Sequence, residues 1–169
     1  QLFMKKLAGE AADGFVVHPL HTVRYLQEVL LPAIQAGAAG ADRPREAVKI
    51  SVSAFTVTHP AEARFVRQQV AFYASTASYR AVMTLHGWEA EAEALSGLAS
   101  RKKWEEMPGL ISDEMLEAFA VVADPQSLPA RLSERYQGLA DHLSLYLPFI
   151  PGERDNFWAG LVTALQGHR

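Results

Sequence analysis

Cysteine is missing from the 169-residue chain. That absence excludes disulfide scaffolds, thiolate nucleophiles and Cys-ligated zinc, and it fits a cytoplasmic protein. Excess charge is missing too: 16 Lys and Arg stand against 19 Asp and Glu, a formal charge of −3. Without a basic field to grip a phosphate backbone, nucleic-acid binding is not expected. Apolar runs such as Phe119 to Ala123 are far shorter than the roughly 20 residues of a membrane span, so no membrane partner is expected. There is no internal repeat and no low-complexity tract beyond the Ala-rich patch Ala36 to Ala41. Nor does an initiator Met or a capping residue precede Gln1 to Ala8, which reads as the middle of an amphipathic helix. Residues ahead of Gln1 are therefore expected.

With 49% hydrophobic residues the chain can build one domain with a real core. The helical opening runs to about Ala12, and Asp13-Gly14 turns it into the apolar run Phe15-Val16-Val17-His18-Pro19, a buried strand over about 14–18. Thr22 caps a second helix that carries Val23, Leu26, Leu30 and Ile34, with Pro32 expected to kink it. Residues 48–58 alternate with period two, placing Val48, Ile50, Val52 and Ala54 on one side and Lys49, Ser51, Ser53 and Phe55 on the other. This second strand leads through Thr58-His59-Pro60 into a helix whose apolar stripe is Phe65, Val66, Val70 and Tyr73.

Residues 74–112 interrupt the rhythm. They read as a helical insertion of about 40 residues, longer than ordinary connections. Trp88 and Trp104 are expected to anchor it, while Arg101-Lys102-Lys103 beside Glu105-Glu106 reads as a solvated face. An apolar helix from Asp113, a turn at Asp124-Pro125 and a helix ended by Gly138 follow. A third alternating strand then covers 142–147, and a closing helix repeats Phe157, Leu161 and Leu165.

Strands separated by helices imply a parallel sheet joined by right-handed crossovers, the α/β class. Three parallel strands alone would leave two open edges. The pattern matches the last three βα units of a TIM (β/α)8 barrel, with the helical insertion after the seventh strand and the N-terminal barrel half missing.

The string Leu7-Ala8-Gly9-Glu10-Ala11-Ala12-Asp13-Gly14-Phe15 resembles a segment typical of luciferase-like monooxygenases. The resemblance continues through His18-Pro19, Phe72-Tyr73-Ala74-Ser75-Thr76 with Tyr79-Arg80, and His86-Gly87-Trp88. It extends to Phe119-Ala120-Val121-Val122 with Asp124-Pro125, and to Leu143-Ser144-Leu145-Tyr146-Leu147-Pro148. Together these segments are similar to the C-terminal half of a subgroup classed with oxidoreductases that use the deazaflavin coenzyme F420. The resemblance implies a TIM barrel with the cofactor across the mouth formed by the strand C-termini, and hydride transfer between F420 and a small organic substrate. An FMN-dependent monooxygenase of the same fold is the alternative it leaves open. The family's first five strands, and the loop ahead of Gln1 that helps hold the cofactor, are absent, so the 169 residues alone are expected to be inactive.

Barrel geometry turns alternate strand positions inward, and those at the strand C-termini meet the active site. Leu143, Leu145 and Leu147 pack on helices, which turns His142, Ser144 and Tyr146 inward. The same argument selects His18 and Phe55. His18 is the candidate catalytic residue, since imidazole titrates near neutral pH; Phe55 and Tyr146 are candidate substrate-pocket residues. Each has a plainer reading, as a loop-orienting histidine or as core aromatics. In Ser75-Thr76-Ala77-Ser78-Tyr79-Arg80, hydroxyls and amides gather at an expected helix N-terminus with a guanidinium one turn inside. Such ends attract anions, and barrel enzymes often bind phosphate just there. Ser75, Thr76 and Arg80 are thus candidates for binding the cofactor's phosphate tail, against the plainer reading of an N-cap by Ser78 and a surface arginine.

Two further readings belong to other classes. His18 and His21, with His59 or His142, would make a metal-dependent barrel hydrolase, but the spacing does not aim them at one point and no carboxylate completes the set; no metal ligands are assigned. A half-barrel could instead be a non-catalytic binding module. The partners expected are a small-molecule substrate and either a second copy of the chain or the missing N-terminal half.

Overall fold

The computed structural model describes residues 2–166. Helix α1 (Leu2–Ala11) leads into strand β1 (Gly14–Val17). Thr22 caps α2 (Val23–Tyr25) by accepting the Tyr25 amide at 3.1 Å. This helix continues through a π turn (Leu26–Leu30) into α3 (Leu31–Gly40). The irregularity expected at Pro32 takes this form. Proline has no N–H for the carbonyl four residues back and crowds it, and the turn ahead of it is widened, with the Leu31 amide bonded to the Leu26 carbonyl.

Strand β2 (Lys49–Val57) is followed by α4 (Pro60–Ala74), which His59 caps by accepting the Ala61 amide at 3.2 Å. A 3-10 turn (Ala77–Tyr79), α5 (Arg80–Leu85), α6 (Glu89–Ser100) and a second 3-10 turn (Met107–Leu110) form the helical excursion. The chain closes with α7 (Asp113–Phe119), β3 (Ala120–Val122), α8 (Leu128–Tyr136), β4 (His142–Leu145) and α9 (Asp155–Gln166). The apolar run read as helix up to Asp124-Pro125 is thus divided: after Phe119 it becomes a three-residue strand.

Strand β2 is the hub of the sheet and all its pairings are parallel. Its first half pairs with β1 (Phe15 opposite Ile50, Val17 opposite Val52). Its middle pairs with β4 (Ser51 opposite His142, Ser53 opposite Ser144), and its end with β3 (Phe55 opposite Ala120). Asp141 fastens the start of β4 to β2 by accepting the Ile50 amide at 2.8 Å and the Lys49 ammonium at 3.2 Å. The register sorts the two faces. Val17, Ile50, Val52 and Ala54 are buried in one apolar cluster with Leu26, Leu30, Ile34, Val66, Val70, Leu128 and Leu132 of the helices. Each such Val, Leu or Ile side chain contributes roughly 1.5–3 kcal/mol on burial. The opposite face carries Val16, His142 and Ser144, all exposed, and Ser53, whose hydroxyl meets that of Ser144 at 2.9 Å.

The excursion shares this core through Met83, Ala92, Leu95, Met107 and Ile111. Arg67 of α4 clasps its end through the Ile111 carbonyl and the Asp113 carboxylate. The two tryptophans expected to anchor it differ. Trp88 is buried, with its ring 4.4 Å from that of His86 and 5.7 Å from that of Phe119. Trp104 is 44% exposed, with its ring 6.1 Å from that of Phe72.

Candidate functional site

Aromatic rings gather at the C-terminal ends of β1, β2 and β4. Strand alternation turns Phe55 to the same face as Ser51 and Ser53, and the amide of Tyr146, bonded to the Ala54 carbonyl at 2.8 Å, extends β4 alongside it. The two rings meet edge to face, with centroids 5.0 Å apart. The Tyr146 hydroxyl lies 2.8 Å from that of Tyr73, in the last turn of α4. The edge-to-face contact of Tyr73 with His18, centroids 4.6 Å apart, carries the cluster on to the end of β1. His18 in turn stacks on Tyr79 at 4.2 Å. Three residues selected from the strands, His18, Phe55 and Tyr146, are therefore brought together, and Tyr73 joins them.

The electrostatics of the cluster favour neutral groups. His18 Nδ1 accepts the Leu20 amide at 3.1 Å, so the neutral ring carries its proton on Nε2 and offers a donor there. Burial lowers the pKa of His18 below the usual histidine value, which keeps that neutral form dominant at pH 7. The hydrogen bond to Tyr146, with burial and neighbouring phenols adding to it, pushes the Tyr73 hydroxyl up to about 12. A cavity of about 200 Å³ adjoins the cluster, lined by His18, His21, Tyr25, Tyr79 and Lys5 among others.

His21 is not paired with His18 toward a common point. It is buried, its Nδ1 is 2.9 Å from the His18 carbonyl and its Nε2 is 3.1 Å from the Tyr136 hydroxyl, so both nitrogens are engaged within the protein. Among the described residues no group of three His, Asp or Glu side chains could hold a metal ion.

The Ser75 to Arg80 segment holds both a helix end and a helix start. Ser75 ends α4 and turns its hydroxyl back onto the Phe72 carbonyl at 2.7 Å. The 3-10 turn Ala77–Tyr79 runs directly into α5, so Arg80 lies one turn past the start of this helical stretch, and the Tyr79 and Arg80 amides are bonded to the Thr76 and Ala77 carbonyls. Ser96 of α6 ties the segment together: it receives the Arg80 guanidinium at 3.2 Å and donates to the Ser75 carbonyl at 2.7 Å. Thr76 is exposed. Sequence reasoning passed over Tyr73 and Tyr79 as site residues, because helical spacing marks both as packing; only their place in the segments carrying the family resemblance set them apart.

A parallel sheet covered on one face by helices, with its ring cluster at the strand C-termini, defines an α/β protein. The family model for luciferase-like monooxygenases matches residues 2–142, and the chain belongs to that family. It is 39% identical over 146 residues to an uncharacterized protein of Mycobacterium tuberculosis, covering 83% of this chain and 43% of that one. It is 31% identical over 135 residues to the 5,10-methylenetetrahydromethanopterin reductase of Methanolobus tindarius, covering 78% and 41% respectively. Among solved structures it resembles the coenzyme F420-dependent tetrahydromethanopterin reductase of Methanopyrus kandleri, with a TM-score of 0.76 and 23% identity over 99% of this chain and 48% of that one. The chain thus spans less than half the length of these relatives. Among the described residues no helix is long and apolar enough to cross a membrane.

Proposed function

We propose that the chain is the C-terminal part of a (β/α)8 barrel oxidoreductase, comprising its last three βα units and a helical insertion after the seventh strand, which transfers hydride between coenzyme F420 and a small organic substrate. The observation that carries this reading is the convergence of His18, Phe55, Tyr73 and Tyr146 at the C-terminal ends of parallel strands, where barrel enzymes bind their ligands. The names of two relatives, both reductases of a methanopterin substrate, one of them F420-dependent, support the choice of chemistry. The exposed sheet face, with Val16 74% exposed, supports a covering partner: the N-terminal barrel half or a second copy of the chain.

The residues present suit a deazaflavin. A planar ring system needs a largely apolar wall with a few directed polar groups, and the half-buried Tyr146 and Tyr79 rings, with the buried Phe55 ring packed against Tyr146, and the His18 Nε2–H supply both. When bound, the deazaflavin supplies the hydride acceptor or donor. His18 then acts as a neutral hydrogen-bond donor, the form that burial favours by lowering its pKa. Arg80, braced by Ser96, and the exposed Thr76 serve the anionic tail, while Ser75 supports them through its carbonyl. Tyr146 forms the wall of the substrate pocket, and Phe55, fully buried, backs it as a core aromatic.

Fluorescence titration with F420 and with FMN, on the protein in the length its gene encodes, tests this. F420 is expected to bind more tightly than FMN, with Arg80→Ala weakening it about tenfold and His18→Ala acting mainly on turnover. Binding of FMN alone would turn the reading to the flavin monooxygenase, and binding of neither would leave a non-catalytic module.

A further inference from the structure

Lys5 is the one Lys, Arg, Asp or Glu buried among the described residues, at 6% exposure. From α1 it donates to the Tyr25 hydroxyl of α2, and its Nζ lies 4.7 Å from the centre of the same ring. Among the described residues no carboxylate pairs with it. An ammonium has three N–H donors and the phenol takes one, while the Tyr25 hydroxyl, accepting that bond, keeps its own proton to give. Other buried polar groups are answered within the protein: His21 engages both ring nitrogens, and the Thr22 hydroxyl meets His86 and the Tyr25 amide. The cavity of about 200 Å³ is lined by Lys5 and Tyr25. The rest of its wall is chiefly apolar, from Phe15 and Val17 on the helix side of β1 and from Leu20, Leu30 and Val82. It shares His18 and Tyr79 with the ring cluster, but Phe55, Tyr73 and Tyr146 do not line it.

We propose that this cavity is a binding site for a small organic carboxylate, a single anionic group on an apolar body about one ring in size, with its oxygens on the Lys5 ammonium and the Tyr25 hydroxyl. A buried charge is costly unless it is paired and hydrogen-bonded, so an anion beside Nζ is strongly favoured. Hydrogen bonds from an ammonium to a carboxylate are among the stronger ones a protein makes. Size selects the body: a cavity of about 150 Å³ takes benzene, and about 200 Å³ leaves room for the carboxylate beside the ring. Charge selects the head group. A phosphate monoester brings a second negative charge and a third oxygen, and the wall holds no arginine and no second lysine to meet them. The site is independent of F420 chemistry, because its two polar groups stand on α1 and α2 and no reacting atom is needed there.

The test titrates benzoate, its uncharged counterpart benzamide, and acetate, an anion without the ring, into the protein in the length its gene encodes, with binding read by calorimetry. Benzoate is expected to bind at least tenfold more tightly than either of the others and to raise the melting temperature, as a ligand of the folded state does. Lys5→Met keeps a long unbranched side chain in the wall and removes the charge; it is expected to weaken benzoate binding at least tenfold and leave benzamide binding unchanged. Tyr25→Phe keeps the ring and is expected to weaken benzoate binding severalfold. Circular dichroism spectra matching that of the unaltered protein identify variants that remain folded; if Lys5→Met fails this, Lys5→Gln replaces it, and the comparison of the three probes on the unaltered protein needs no variant. Benzoate binding no tighter than benzamide or acetate, or unaltered in either folded variant, overturns the proposal. Added F420 is expected to leave benzoate binding unchanged. Displacement of benzoate by F420 would make the cavity part of the cofactor site and overturn the proposal while supporting the hydride reading.

Discussion

The imidazole of His18 lies nearly parallel to the Tyr79 ring, 25° between planes and 4.2 Å between centroids, which ties the end of β1 to the start of the excursion. Rings in such contact are worth about 0.5–1.5 kcal/mol beyond their area. A double-mutant cycle of His18→Ala and Tyr79→Ala, followed by urea unfolding, is expected to give a coupling energy of about 1 kcal/mol. Strict additivity would show that the stack holds nothing in place.

Helices α1 and α3 cross with their backbones in contact. A Cβ on Gly9 would run into the Ile34 carbonyl oxygen, and one on Gly37 into the Lys6 carbonyl oxygen. Backbone cannot yield as a flexible side chain does, so either Ala substitution must push the helices apart. Overpacking costs about 1–3 kcal/mol or more, and alanine's better helix propensity offsets about 1 kcal/mol of it. Gly9→Ala and Gly37→Ala are each expected to lower stability by about 2 kcal/mol in chemical denaturation, whereas Gly40→Ala, with open space around it, is expected to be neutral or better.

The α/β character and the two faces of the sheet were legible because one face is buried and the other is not. Alternation over Val48 to Ala54 has a single physical solution, and Ser51, Ser53 and Ser144 fell on the face opposite the helices, whereas Phe55, Thr56 and Val57 beyond it are buried on both faces. The short strand β3 was not legible: Ala120, Val121 and Val122 continue the apolar run of α7, and three residues carry no period that separates strand from helix. For the site, His18, Phe55 and Tyr146 could be picked because strand ends have a known direction. Tyr73 and Tyr79 could not, since their roles depend on how α4 and the excursion dock, a long-range matter on which local spacing is silent. The Ser75 to Arg80 segment was legible in part: a Ser/Thr cluster reads equally as the end of one helix or the start of the next, and here Ser75 ends α4 while the turn from Ala77 leads into α5.

Arg43 closes the C-terminus of α1. Its guanidinium donates to the Gly9 carbonyl at 3.0 Å and the Ala12 carbonyl at 2.8 Å, among the groups a helix end leaves unpaired. Hydrogen bonds from a charged donor contribute about 1.5–3 kcal/mol. Arg43→Met is expected to cost about 2 kcal/mol. Arg43→Lys should recover less than half of it, because an ammonium lacks the planar fork that reaches both carbonyls. Full recovery by lysine in denaturant melts would reduce the arginine's role to bare charge.

His21 gives the fold a pH limit. Burial holds its pKa at about 4, against the ordinary histidine value of about 6.5, so the folded protein keeps the ring neutral while the unfolded chain takes up a proton at higher pH. The folded value is the lower one; stability is therefore complete above about pH 6.5 and declines as the pH falls toward 4. Two to three pH units of difference correspond to about 3 kcal/mol at the bottom of that window. Unfolding free energies measured from pH 7.5 down to 4 should show this decline. His21→Asn, which keeps a polar group facing the His18 carbonyl but does not titrate, should start lower at pH 7.5 and fall less steeply. A parallel fall in both proteins would assign the acid sensitivity to other groups.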